Sequence, residues 1–123
     1  MASLGLLCAL LQAALAGLFV TGDVGMLDLH GMNAGLVILL ALVQTVNAVL
    51  LWRRDRALRW PVAVTGGLFL LAAAQQMLGD ARAIALHILL GTVIVAADAA
   101  LAYWTATLRA AAPAAAVPAG GRP

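Results

Sequence analysis

Two histidines, His30 and His87, are the residues of this chain whose type and spacing could carry chemistry. Their surroundings are so apolar that an ionisable group costs several kcal/mol unless it is partnered, and such groups in spanning helices face the bundle interior. After His30, the residues Asn33, Val37, Leu40, Gln44 and Asn47 follow at alternating steps of three and four, which lays them along one helical face. Ile84, His87, Gly91, Ile94, Asp98 and Leu101 repeat the arrangement. Each histidine then heads a polar stripe one or two turns inside its helix, at similar depth. Two such helices facing each other across the diagonal of a four-helix square would be about 11 to 14 Å apart. That gap suits two imidazoles with a metal-centred planar ring between them, the geometry of bis-histidine haem ligation. The expected site is one haem b held by His30 and His87, with Asn33, Gln75 and Gln76 around it.

Other readings of the same residues stand beside this one. The histidines could serve only as polar glue, hydrogen-bonding across helices to Asn33, Gln75 or Gln76. Met26, Met32 and Met77 cluster toward the same end of the chain's helices, and thioether with imidazole would suit Cu(I). Asp98 lies about 16 Å below His87 by helical rise, so it cannot share a metal with both histidines. It reads as a partner for Gln44 or Asn47, or as a proton relay in a proton-coupled protein. Cys8, a lone cysteine, reads as a small packing residue. Arg82 falls on a different helical face from His87, although its place at the end of the span would let it reach a carboxylate there. No hydrolase constellation, phosphate loop or three-ligand zinc pattern is present, so the chain reads as a carrier or structural protein rather than an independent enzyme.

The elements that must position these residues follow from composition. The chain has 123 residues, 65% apolar and 10% charged, with no Lys and no Glu. Soluble domains carry about 25% charged residues, so lipid is the expected solvent. Four apolar windows of spanning length lie at 2–21, 29–52, 60–78 and 82–108. The breaks are Gly22 to Gly25, the run from Arg53 to Arg59, and Gly79-Asp80, with Asp28 as an expected N-cap. Such short connections predict an all-α, antiparallel four-helix transmembrane bundle. Arg53, Arg54, Arg56, Arg59, Arg109 and Arg122 crowd one side, against Arg82 on the other, which places the middle loop and both termini in the cytoplasm. Trp52, Trp60, Tyr103 and Trp104 fall at that same interface. The first window lacks the basic start of a signal peptide and reads as a retained helix. Residues 110–123, rich in Ala and Pro, read as a disordered cytoplasmic tail. The net charge of +2 is too small and dispersed to suggest nucleic acid.

The chain also carries a weak internal duplication. Gln12 precedes His30 as Gln75-Gln76 precedes His87, and Leu29-His30 and Leu86-His87 are each followed by a glycine, Gly35 and Gly91. The repeat is imperfect, since Gln12 lies deeper than Gln75. The order of Gln12, Ala16-Gly17, His30, Gln75 or Gln76 and Leu86-His87 resembles an uncharacterised bacterial family of small four-helix membrane proteins, over roughly residues 5 to 105. Ile88 and Leu90 stand where that family tends to have Pro and Asn. The paired-histidine logic is similar to heme A synthase and to di-haem b-type cytochromes, which keep more histidines. The resemblance implies a multi-pass protein of the bacterial cytoplasmic membrane, with a membrane redox partner, a quinone or a second copy of itself as candidate partners.

Overall fold

The computed structural model describes residues 1–111. It contains four α-helices, α1 (Ala2–Val20), α2 (Met26–Arg54), α3 (Arg59–Asp80) and α4 (Ile84–Ala111), with one 3₁₀ turn, Arg56–Leu58, between α2 and α3. Each expected window is a helix, and the differences lie at the ends. α2 runs beyond its apolar window at both ends, because Met26 to Asp28 and Arg53-Arg54 can complete helical turns in the polar region bordering the lipid. Gly25, not Asp28, takes the N-cap position, and Asp28 sits in the first turn, where its carboxylate complements the helix dipole. Pro61 lies in the first turn of α3, where a missing N–H breaks no helical bond. α4 starts at Ile84 and continues through Ala111, so Ala110 and Ala111 belong to the helix and not to the expected tail. The rest of that tail, 112–123, lies outside the described residues.

The turns after α1 and α3 have the same construction. Asp23 N bonds to Leu18 O and Gly22 N to Phe19 O, while Ala83 N bonds to Leu78 O and Arg82 N to Gly79 O. These paired six-to-one and five-to-two bonds form the Schellman motif, which needs a positive φ at its penultimate residue. Gly22 supplies it at φ 112°, and Arg82 at φ 57°. The α2–α3 connection is different: Asp55 Oδ1 accepts from Ala57 N at 2.9 Å and caps the 3₁₀ turn.

Every helix packs against two neighbours, in the cyclic order α1, α2, α3, α4, and α2 does not pack against α4 nor α1 against α3. The section is therefore a square, with the histidine-bearing helices on one diagonal. Along the α1–α2 seam, Gln12 meets His30, Cys8 meets Asn33 and Gly5 meets Gln44. Near the arginine-rich end, Ala2, Leu68, Ile94, Leu101 and Ala102 form an apolar cluster, with Trp104 against it. Trp60 and Trp104 stack edge to face at 4.2 Å, and Arg56 lies 4.7 Å over the Trp52 ring.

Polarity is inverted relative to a water-soluble bundle. Asp98 is 5% exposed, Asn33 7% and Gln44 8%, whereas Leu70 is 67% exposed and Leu89 62%. All four helices are long and apolar enough to cross a membrane. Apolar side chains outside and polar ones inside suit a hydrocarbon solvent, since a polar group that faces the bundle interior is kept from lipid.

Candidate functional site

His30 and His87 approach one another inside the bundle, with ring centroids 6.0 Å apart and ring planes inclined at 56°. Each ring is tied to the neighbouring helix by its own hydrogen bond. His30 Nδ1 lies 3.1 Å from Gln12 O, and His87 Nδ1 lies 2.9 Å from Gln75 O. A carbonyl oxygen only accepts, so Nδ1 carries the hydrogen in both rings. In the neutral imidazole, Nε2 then holds the lone pair. This is the tautomer that metal-binding histidines commonly use, with Nδ1–H oriented by a carbonyl and Nε2 free to ligate.

The two latches share a plan and differ in detail. On the α1–α2 side, Gln12 Nε2 donates to His30 O at 2.9 Å, so backbone and side chain of one glutamine grip one histidine. Asn33 Nδ2 donates to Gln12 Oε1 at 2.6 Å and to Cys8 O at 2.9 Å, which fixes the glutamine. On the α3–α4 side, Gln75 offers its backbone oxygen in the same way, yet its Oε1 is buried with no hydrogen-bond partner among the described residues. An orphaned buried acceptor of this kind is costly unless a water or a ligand donates to it.

Two glycines make room on the second side. A Cβ at Gly79 would lie 3.1 Å from His87 Cε1 and 3.2 Å from its Nδ1. A Cβ at Gly91 would lie 2.9 Å from Gln75 Nε2. Gln12, Gly79 and Gly91 are thus the residues that hold and admit the rings. Spacing in the sequence places Gly91 on the α4 stripe and marks it, with Gln12, as part of a duplication, while Gly79 reads there only as part of a helix break.

The remaining expected residues fall elsewhere. Asn33 reaches His30 through Gln12 and makes no direct bond to the ring. Gln76 directs its amide to Asp80 Oδ1 at 3.0 Å, on its own helix and away from both rings. Met32 and Met77 are 74% and 70% exposed, so these thioethers face outward and do not join the imidazoles. Asn47 is exposed, leaving Gln44 as the stripe residue near Asp98. Arg82 is exposed in its turn. Among the described residues, no group of three or more His, Cys, Asp or Glu side chains gathers to hold a metal ion.

Comparison with known proteins finds no family model that matches the chain, and no match among curated proteins or solved structures. With Nδ1–H donating to a carbonyl on each ring, Nε2 of a neutral imidazole is left on both sides as an acceptor or a ligand, and two such nitrogens cannot hydrogen-bond to one another.

Proposed function

We propose that this membrane protein binds one haem b between His30 and His87 and carries electrons. The observation that carries the reading is the separation of the rings. At 6.0 Å between ring centroids, His30 and His87 stand close enough that they would hold one group between them. The donor set argues further for a macrocycle over a bare ion. A structural metal site draws about four ligands from the protein, whereas a porphyrin would bring four nitrogens of its own and would need only His30 and His87 from the chain. The bound haem would supply a one-electron couple. The protein's share is to hold both Nδ1 protons on carbonyls, to set ring orientation, and to exclude water with apolar helices.

The proposal includes an antiparallel bundle in the bacterial cytoplasmic membrane with both termini inside. The order of contacts along the α1–α2 seam supports the first point, since residue numbers rise on α1 as they fall on α2. The arginine bias supports the orientation. The histidines then lie in the outer leaflet, where a quinone or a membrane redox partner would exchange electrons with the site.

Purified after expression with ample haem supply, the protein should show a Soret band and an α-band that sharpens on reduction. His30→Ala and His87→Ala should each lose the sharpened α-band. A colourless, fully folded preparation would instead assign both latches to helix association, which the carbonyl bonds serve equally well.

A further inference from the structure

The other half of the bundle contains a second polar cluster, separate from the histidines by about 16 Å along α4. Asp98 on α4 and Gln44 on α2 are both more than nine-tenths buried. A Cβ on Gly5 would stand 2.7 Å from Gln44 Nε2 and 3.5 Å from Asp98 Oδ1, so the bare backbone of α1 closes over both groups. Beside them is a cavity of about 10 Å³, walled otherwise by Val37, Ala41, Leu68, Ala72 and Ile94. That volume is close to what a single water requires, and a water needs at least two polar partners. The amide and the carboxyl supply them. Neither side chain hydrogen-bonds to another among the described residues. The walls from α1, α2 and α3 bring no charged or titratable side chain to the carboxyl. The Met1 α-amine, four residues before Gly5, is at the exposed end of α1. A buried carboxyl without a cation is far less costly as the neutral acid than as the ion.

We propose that Gln44 and Asp98 hold one buried water under Gly5, and that Asp98 is there a neutral acid whose proton exchanges through that water. In the exchange, the acid O–H proton passes to the water oxygen while a water proton passes back, so both partners remain neutral. The site is a proton-binding site distinct from the histidine pair and does not depend on haem.

The test is infrared spectroscopy of the full-length protein in lipid at neutral pH. A carboxylic-acid C=O band is expected, and it should move to lower frequency in D2O. Asp98→Asn should remove it. Should that variant fail to fold, carboxyl-13C aspartate in the wild-type chain assigns the band by its isotope shift, since the other four aspartates, Asp23, Asp28, Asp55 and Asp80, are all exposed. Gly5→Ala should fill the space and slow the D2O shift several-fold while the band persists. Absence of an aspartic-acid band would overturn the proposal by showing Asp98 ionised. A band that ignores D2O, or exchange unchanged in Gly5→Ala, would overturn the assignment of the water.

Discussion

Asn33 uses one amide nitrogen to hold two acceptors on α1, Cys8 O and Gln12 Oε1. Interhelical hydrogen bonds within a bilayer average about 0.6 kcal/mol and reach about 1.7. Asn33→Leu removes two of them and leaves Gln12 Oε1 bare, so a loss of about 1 to 2 kcal/mol is expected in a detergent unfolding titration. Two glycines give opposite signs. At Gly67 an added Cβ meets nothing within 4 Å, so Gly67→Ala should stabilise α3 by up to about 1 kcal/mol. At Gly79 it presses on His87, and Gly79→Ala should lose that gain, with a net destabilisation of about 1 kcal/mol in the same titration. The stripe that carries His30 and Gln44 is legible in the sequence because both are polar in an apolar run. Asn47 shares the spacing and yet is exposed. Seventeen residues at 3.6 per turn leave it about 100° round the helix from His30. Gln76 misleads for a similar reason, since its neighbour Gln75 faces the bundle and Asp80, four residues on, captures its amide.

At the scale of elements, the apolar windows are readable because lipid demands about 20 such residues per span. The helix ends are not, because a helix can continue past the hydrocarbon wherever its backbone groups remain satisfied. The two Schellman turns show where sequence misleads most. Gly22 announces its turn; Arg82 hides the matching one, since an arginine at φ 57° is uncommon. Holding a side-chain-bearing residue there costs roughly 1 to 2 kcal/mol. Arg82→Gly should therefore raise thermal stability by about 1 kcal/mol, and Gly22→Ala should lower it by about as much, both read as shifts in the melting midpoint.

For the molecule as a whole, the arrangement of charge should decide how it sits in the bilayer. Arg53, Arg54, Arg56 and Arg59 occupy one connection, and each basic residue near a span biases its loop toward the cytoplasm. Replacing all four with Gln should yield a mixed population in which a reporter fused after Pro123 appears on both sides, read by protease accessibility. Retention of a single orientation would shift that role to Trp52, Trp60 and Trp104. The matching latches and matching turns have a further consequence. The α1–α2 and α3–α4 hairpins each end their first helix alike and each offer one glutamine carbonyl to one imidazole. Facing each other, the two hairpins present a pair of rings across their shared centre. Co-expressed as two pieces severed between Asp55 and Arg59, the halves should therefore copurify.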